Sequence, residues 1–158
     1  MSFTSCSFTG HRKIEASRKG SLTELLERAL NYAYSNGCRS FFAGGALGFD
    51  TLAAEAVIKF REKHPDVRLT LVLPCKDQDI RWNEGDRVVY KRILALADGV
   101  EYVSDVYYDG CMKKRNERLV ELCDVLIAYV GRSFGGSAQT LRMAKASGKT
   151  VYNLYQPI

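Results

Sequence analysis

A glycine-rich segment, FFAGGALGFD over residues 41–50, carries the first chemical signal in this sequence. It places Gly44, Gly45 and Gly48 between an apolar run and an amphipathic one. Because glycine has no Cβ, its amides can approach a phosphate closely, and a following helix adds unpaired N–H groups and a positive dipole end. The spacing matches neither a Walker A loop nor the GxGxxG fingerprint. A tight turn with Asp50 as an ordinary helix cap therefore stays open beside a phosphate or ribose site.

A second glycine-rich turn repeats this device ahead of the last predicted helix. It lies within residues 131–140 and contains Gly135, Gly136 and Ser137. A ligand with a phosphate at one turn and a sugar or base at the other would use both turns. Ser137 and Thr140 could supply hydroxyl donors, although Thr140 also suits an ordinary helix interior.

A polar segment follows the first predicted strand. It contains Thr9, Gly10, His11 and Arg12, so that a close backbone approach is followed by a cation. The guanidinium of Arg12 could fork onto phosphate oxygens, a bidentate task that lysine performs less well, and a solvated side chain is the alternative. His11 could hydrogen-bond a ligand or act as a base, although a lone histidine in a loop is more often a structural donor.

Two further pairs of residues complete the candidate site. Arg115 and Asn116 lie early in a predicted helix, where the dipole disfavours cations, so an anion nearby would explain them as well as a solvated basic face would. Trp82 and Asn83 lie in a polar loop. Trp82 could stack on a base, or it could wedge this loop onto the core.

The elements that position these residues alternate along the chain. A capping box at residues 21–24 predicts a first helix from Ser21, and Gly37 suits a left-handed stop beyond its end. Strands that alternate with helices form a parallel sheet covered on both faces, because right-handed crossovers place each helix on a face. The predicted fold class is α/β: a three-layer Rossmann-like domain with a mainly parallel sheet. Ligands bind beyond the carboxyl ends of such strands, so the candidate residues should converge on one rim. The strands are predicted near residues 3–8, 39–43, 67–73, 100–103, 125–130 and 150–155.

Length and composition limit the class of protein. With 158 residues and 46% hydrophobic content, residues 1–158 are expected to form one domain with one core. The formal net charge of +5 suits an anionic ligand, but it does not separate a nucleotide binder from a nucleic-acid binder. No run approaches the ~18 apolar residues that span a bilayer, and no secretion signal is evident, so we expect a cytoplasmic protein. The five cysteines form no metal-binding pattern, so neither a disulfide framework nor a metal site is expected.

As a set, these segments resemble the SLOG superfamily, and within it most closely the YpsA-like family of small bacterial proteins. The resemblance implies a Rossmann-like fold and a site for a nucleotide or a nucleotide-derived ligand of the ADP-ribose or NAD type. It implies no particular reaction. The matching segments follow the family's order and cover nearly the whole chain: residues 9–12, 44–50, 78–84, 114–116 and 135–137.

Two relatives within this superfamily suggest other functions. The Lonely Guy phosphoribohydrolases carry Pro-Gly-Gly-x-Gly-Thr-x-x-Glu, in which the glutamate is catalytic. Aligning the glycine pair with Gly135 and Gly136 places Arg142 at the glutamate, so the acid is missing, whereas Arg115 fits an upstream arginine of that family. The DNA-processing protein A family, which binds single-stranded DNA, shares the fold and the first glycine loop. Single-strand binding usually needs several stacking aromatics, and here many aromatic residues fall in predicted strands or helices.

Three functions therefore remain open at this stage. The favoured one is a nucleotide-binding protein with a sensor or regulatory role; the sequence assigns it no catalytic residue and no certain cofactor. The first alternative is a hydrolase of nucleotide N-glycosidic bonds that uses Asp50, Glu84 or Asp109 in place of the absent glutamate. The second is a binder of single-stranded nucleic acid. Homo-oligomers are common for this fold, although no sequence feature sets their number. The candidate ligand-binding residues are Thr9, Gly10, His11, Arg12, Gly44, Gly45, Gly48, Asp50, Trp82, Asn83, Arg115, Asn116, Gly135, Gly136 and Ser137.

Overall fold

Strands and helices alternate throughout the structure, a computed structural model that describes residues 2–156. Within that range there are six strands and five helices, which confirms the predicted alternation. In chain order they are β1 (Ser5–Gly10), α1 (Ala16–Ser35), β2 (Ser40–Ala43), α2 (Phe49–Lys63), β3 (Arg68–Leu73), α3 (Glu84–Leu96), β4 (Gly99–Tyr102), α4 (Cys111–Leu122), β5 (Val125–Tyr129), α5 (Gly136–Ala146) and β6 (Thr150–Asn153).

The six strands form one parallel sheet in the order β4-β3-β2-β1-β5-β6. The chain moves outward from β1 to β4 and then returns to place β5 on the other side of β1. Because parallel crossovers are right-handed, this reversal puts α1, α2 and α3 on one face and α4 and α5 on the other. The structure therefore has the predicted three-layer Rossmann-like fold, and its topological switch point lies between the carboxyl ends of β1 and β5.

The core is built on the central strands, which are buried on both sides because helices cover both faces. Every residue of β5 is buried. Phe8 stacks on Phe41 with 6.2 Å between ring centroids, and Phe49 stacks on Tyr129 at 5.9 Å. Phe49 is the first residue of α2 and is fully buried, so this packing fixes the start of α2 against the ends of β1 and β5.

Two predictions about helix starts are wrong. The capping box does not form, because α1 already begins at Ala16 and the Ser21 hydroxyl donates to the carbonyl of Arg18 at 3.1 Å inside the helix. Gly20 is tolerated there because a helix-interior glycine costs only about 1 kcal/mol. Asp50 is not the cap of α2, because Gly48 occupies the N-cap position and Asp50 lies in the first helical turn. The left-handed stop after α1 is confirmed at Gly37, whose φ is 111°.

The five cysteines are free thiols buried in the structure. Burial raises the pKa of the Cys38 thiol and of the Cys75 thiol to about 11, so both stay protonated near neutral pH. Within residues 2–156, no three His, Cys, Asp or Glu side chains group so as to hold a metal ion. None of the helices in that range is long and apolar enough to cross a membrane.

Candidate functional site

The first glycine turn connects β2 to α2 at the carboxyl edge of the sheet. Gly45 and Gly48 have φ values of 71° and 79°, which L side chains rarely adopt. A Cβ at Gly48 would overlap the carbonyl of Arg12, and its contact with the His11 carbonyl oxygen would be 2.6 Å. A Cβ at Gly45 would overlap Leu73. These two glycines are therefore required by backbone shape and by close packing between loops.

Gly44 has a different role, because two charged side chains pack against its bare Cα. A Cβ there would lie 2.8 Å from Arg115 Nη1 and 2.8 Å from Asp50 Oδ2. The Arg115 guanidinium also donates to the Gly44 carbonyl. Both charged residues are more than nine-tenths buried, at 6% exposure each. Gly44 thus makes room for a buried acid and a buried base at the end of β2.

The electrostatics of this buried pair are set mainly by desolvation. Burial raises the pKa of the Asp50 carboxyl to about 6, although Arg115 and the Ala46 amide oppose that shift. Burial likewise lowers the pKa of Arg115, and Asp50 opposes that change. Asp50 Oδ2 accepts from the amide of Ala46 at 3.2 Å, whereas Oδ1 has no partner among the described residues. The carboxyl therefore keeps one buried oxygen with unused hydrogen-bonding capacity.

Arg115 and Asn116 connect the two glycine turns. Nε of Arg115 donates to Oδ1 of Asn116 at 2.8 Å. The Nδ2 atom of Asn116 lies 3.6 Å from the position that a Cβ of Gly136 would take. One helix, α4, thus contacts Gly44 through Arg115 and places the side chain of the neighbouring asparagine close to Gly136. We call this assembly of Gly44, Asp50, Arg115, Asn116 and Gly136 the glycine site.

The second glycine turn leads into α5, which has no side-chain cap at its N-terminus. Gly135 occupies the N-cap position with a φ of 95°, and Ser137 lies in the first turn of the helix. The Thr140 hydroxyl donates to the Gly136 carbonyl at 2.8 Å, so it serves the helix itself. Arg142 Nη1 donates to the carbonyl of Ser133 at 2.7 Å and so holds the loop ahead of α5.

The segment after β1 contributes contacts to both sides of the switch point. Thr9 is buried within β1, and Gly10 lies under the ring of Phe49, since a Cβ there would approach that ring within 2.7 Å. His11 Nε2 accepts from the amide of Gly131 at 2.8 Å. Arg12 is exposed and lines clefts on both sides of this segment.

The tryptophan loop reaches the glycine site indirectly. Trp82 packs edge-on against Tyr90 with 5.1 Å between ring centroids, and it also contacts the main core. Tyr90 in turn lies 3.6 Å from the position that a Cβ of Gly45 would take. Asn83 caps α3 by accepting from the amide of Asp86 at 2.8 Å. The loop therefore combines a core contact with a partly exposed indole.

Sequence reasoning missed a polar group beneath the first glycine turn. Gln78 Nε2 donates to the Gly45 carbonyl at 3.1 Å, and the Tyr90 hydroxyl is buried without a partner among residues 2–156. Asp79 is 3% exposed and lies 3.4 Å from Arg87 Nε and 3.5 Å from Lys91 Nζ. The available signal was the spacing of Asp79 from Arg87 and Lys91, which follow it by eight and twelve residues. Such spacing does not identify an ion pair, because charged residues on an exposed helix can have the same separation.

The fold and the site define a class: a Rossmann-like α/β protein whose glycine turns and buried charges meet at the carboxyl edge of the sheet. The comparison with known families agrees with this class. Residues 7–156 match the model of the YspA SLOG family, YpsA, and the chain belongs to that family. The resemblance inferred from the motifs is thereby confirmed.

Individual proteins support the same assignment. The chain is 31% identical over 127 residues to the UPF0398 protein BH1768 of Halalkalibacterium halodurans. The aligned region covers 78% of this chain and 67% of that relative. DNA processing protein A from Streptococcus pneumoniae superposes with a TM-score of 0.71 at 17% identity, over 99% of this chain and 52% of that one. The Helicobacter pylori protein of the same name, described for its mode of single-stranded DNA binding, gives a TM-score of 0.70 at 24% identity, over 98% and 66%. Both structures share the fold, and this chain spans about half the length of the first.

Proposed function

We propose that this protein binds a nucleotide or a nucleotide-derived ligand of the ADP-ribose or NAD type at the glycine site, as a cytoplasmic sensor or regulatory protein. The observation that carries the proposal is the link made by α4, which contacts Gly44 through Arg115 and approaches Gly136 through Asn116. Two glycine turns and two buried charges thus lie within the reach of one small polar ligand. Ligand sites of α/β sheets form at this edge.

The start of α5 suits the phosphate end of such a ligand. The first amides of a helix have no intrahelical acceptor, and the dipole places positive partial charge there. No side chain caps this helix, and Gly136 is exposed, so an anion can reach the amides without a steric barrier. Ser137 in the same turn adds a hydroxyl donor.

The sugar end would meet the buried acid and the amide side chain of α4. Asp50 keeps an unpartnered Oδ1, and a ribose hydroxyl is a donor that could satisfy it. Asn116 offers its Nδ2 group toward the second turn. These groups discriminate by hydrogen bonding, which suits a ligand rich in hydroxyls.

Binding without turnover is favoured over hydrolysis because of Arg142. This residue stands where the phosphoribohydrolase motif has its catalytic glutamate, and here it is hydrogen-bonded to Ser133 instead. Without the catalytic glutamate, the site would bind its ligand and not cleave it. Binding without cleavage is what a sensor or regulatory protein requires.

One observation favours a second candidate, the hydrolysis of a nucleotide N-glycosidic bond. Burial raises the pKa of Asp50 to about 6, close to the range in which a carboxyl serves as a general acid at neutral pH. Asp50 would then replace the missing glutamate. Release of free base from a nucleoside monophosphate, abolished by Asp50→Asn, would promote this candidate over simple binding.

A thermal-shift panel of ADP-ribose, NAD, AMP and oligo-dT tests the proposal, because a ligand that binds only the native state raises the melting temperature. We expect a shift with at least one nucleotide, and a loss of that shift in Gly136→Asp. This variant places a carboxylate in the first turn of α5, where it favours the helix by about 0.3–1 kcal/mol but repels a phosphate. Ser147→Asp adds the same charge at the other end of α5 and should bind normally. A shift with oligo-dT alone would favour the nucleic-acid binder that the Helicobacter pylori neighbour exemplifies.

A further inference from the structure

A second cleft lies at the topological switch point, between the segments that follow β1 and β5. Its volume is about 560 Å³, and we call it the switch-point cleft. Small-ligand sites commonly have volumes of roughly 300–1,000 Å³, so the cleft can hold one polar group together with its neighbours. Its lining combines charged and aromatic residues: His11, Arg12, Lys13, Glu15, Tyr129, Gly131, Arg132 and Tyr155.

Three cations line this cleft without a partner that neutralises them. Arg12, Lys13 and Arg132 are exposed, and no side chain among them forms an ion pair or a hydrogen bond with another described residue, although the Arg132 guanidinium lies 5.0 Å from the ring centroid of Phe134. Among the described residues, the only carboxylate in the lining is Glu15, whose side chain is 74% exposed and lies 4.0 Å from Arg18. Formal charges of +3 and −1 give these described lining side chains a net charge of +2. Charges of one sign in a cleft focus the field on a ligand of the other sign.

Arg18 shows that a cation nearby can be structural instead. Its Nη1 donates to the carbonyl of Gln156 at 2.8 Å, and its guanidinium lies 4.7 Å from the ring centroid of Tyr155. The other face of this packing is Gly131, where a Cβ would overlap the tyrosine ring. Arg18 thereby holds one wall of the cleft, while the three unpaired cations remain free to bind.

The ring of Tyr155 also packs edge-on against His11, with 6.1 Å between ring centroids, and a hydrogen bond fixes the tautomer of that histidine. Because the Gly131 amide donates to His11 Nε2 at 2.8 Å, the neutral ring carries its proton on Nδ1. Nδ1 is buried and has no partner within residues 2–156. The ring also packs edge-on against Tyr129 at 5.7 Å. The cleft therefore has a fixed aromatic floor, with one unused N–H group buried behind it.

We infer that the switch-point cleft is a phosphate subsite, in which Arg12, Lys13 and Arg132 bind a phosphate or pyrophosphate group carrying about two negative charges. A phosphate monoester carries roughly −1.5 to −2 at neutral pH, which matches the excess charge of the cleft. Arginine forks onto such oxygens, while lysine acts as a point charge. The inference rests on the proposed function only for the sugar and base of the ligand. The sugar would extend from Arg12 toward the glycine site.

Calorimetric titration with inorganic pyrophosphate tests the subsite by itself. We expect the wild-type chain to bind pyrophosphate, Arg132→Gln and Lys13→Gln each to weaken binding about tenfold, and the double variant to show no measurable heat. Lys145→Gln, which removes the same charge from the last turn of α5, is the matched control and should bind as the wild type does. Because Lys13, Arg132 and Lys145 are exposed, the melting temperatures of these variants should equal that of the wild type.

The outcomes separate this subsite from the proposed function. Absence of pyrophosphate binding, or equal binding by Arg132→Gln and the wild type, overturns the subsite. If ADP-ribose still binds in that case, the proposed function stands without it. If pyrophosphate binds as expected while no nucleotide does, the subsite stands and the proposed function fails. Loss of oligo-dT binding in Arg132→Gln, with no pyrophosphate binding, would instead assign the cations to a nucleic-acid groove.

Discussion

The imidazole of His11 accepts a hydrogen bond from the backbone amide of Gly131 at 2.8 Å, although 120 residues separate them. This bond joins the segment after β1 to the segment after β5, on the two sides of the switch point. The His11 amide also donates at 3.2 Å to the carbonyl of Tyr129, the last residue of β5, so His11 is bonded both to the end of β5 and to the segment after it. The geometry of the ligand edge thus depends on a residue for which the sequence predicted a ligand contact or a donor role, whereas its Nε2 is an acceptor.

Removing this acceptor should destabilise the protein. His11→Phe removes the acceptor of the exposed Gly131 amide, and we expect the free energy of unfolding to fall by about 0.5–1.5 kcal/mol. His11→Gln retains an amide oxygen that can accept, so its loss should be smaller. Urea denaturation of both variants provides the measurement. Equal losses would show that the ring's packing, and not its hydrogen bond, stabilises this edge.

The same histidine should make stability depend on pH in a defined direction. Burial, with a contribution from Arg132, lowers the pKa of His11 in the native state. The unfolded chain therefore binds the proton first as the pH falls, so the stabilisation is present above the unfolded pKa of about 6.5 and is lost as the pH falls through the native pKa. Melting temperatures at pH 7.5 and 5.5 should differ less in His11→Gln than in the wild type. A steeper decrease in the variant would contradict this assignment.

Asp50 should contribute with the opposite sign. Its pKa is raised to about 6 by burial, so the native state holds the proton more tightly than the unfolded chain does. The contribution is fully present below the unfolded pKa and is lost as the pH rises through 6, and two pKa units correspond to about 3 kcal/mol. Denaturation at pH 4.5 and 7.5 should show this change in the wild type and not in Asp50→Asn.

Asp124 offers a carboxylate control for that experiment. Hydrogen bonds from the amide and the hydroxyl of Thr4 lower the pKa of this residue. The stabilisation by Asp124 is therefore lost as the pH falls, and Asp124→Asn should make the free energy of unfolding decrease less on acidification. Asp50→Asn should have the opposite effect, because it removes a contribution to stability that grows as the pH falls. Changes of the same sign in both variants would refute the raised pKa of Asp50.

Gly44 should tolerate no side chain. The Cβ of Gly44→Ala would lie 2.8 Å from both Arg115 Nη1 and Asp50 Oδ2, and we expect a loss of about 1–3 kcal/mol from overpacking. Gly20→Ala is the control, because nothing lies within 4 Å of its Cβ and alanine favours a helix interior by about 1 kcal/mol. Opposite changes in urea midpoint are expected. A neutral Gly44→Ala would mean that the buried charges can move apart freely.

Arg142 should act on the loop ahead of α5. Arg142→Ala removes the hydrogen bond to the Ser133 carbonyl, and we expect a loss of about 0.5–1.5 kcal/mol together with faster amide exchange over residues 131–136. Lys145→Ala in the same helix should leave that exchange unchanged. Exchange that rises across the whole of α5 would instead indicate a general effect on the helix.

The sequence by itself determined the alternation of elements, the parallel sheet and the family. The alternation and the sheet follow from local patterns: apolar runs of strand length, helical periodicity between them, and right-handed crossovers that leave few topologies. The segments at the carboxyl ends of the strands could be assigned to one rim for the same reason. The family was inferred separately, from the resemblance of the motif set, and the family model confirms it. The start of α1 was missed because residues 21–24 have a capping-box pattern, which predicts a helix that begins at Ser21. Gly20 and the polar residues before it are typical of a loop, although they form the first turns of α1.

Only the tertiary structure decided how the residues of that rim contact one another. The return of the chain from β4 to β5 brings His11 to Gly131, and α4 brings Arg115 onto Gly44, 71 residues away. Sequence spacing cannot encode such pairs, because burial and desolvation depend on which distant elements pack together. The same packing raises the pKa of Asp50, so a residue that the sequence left between cap and ligand contact becomes a buried acid beside a buried base.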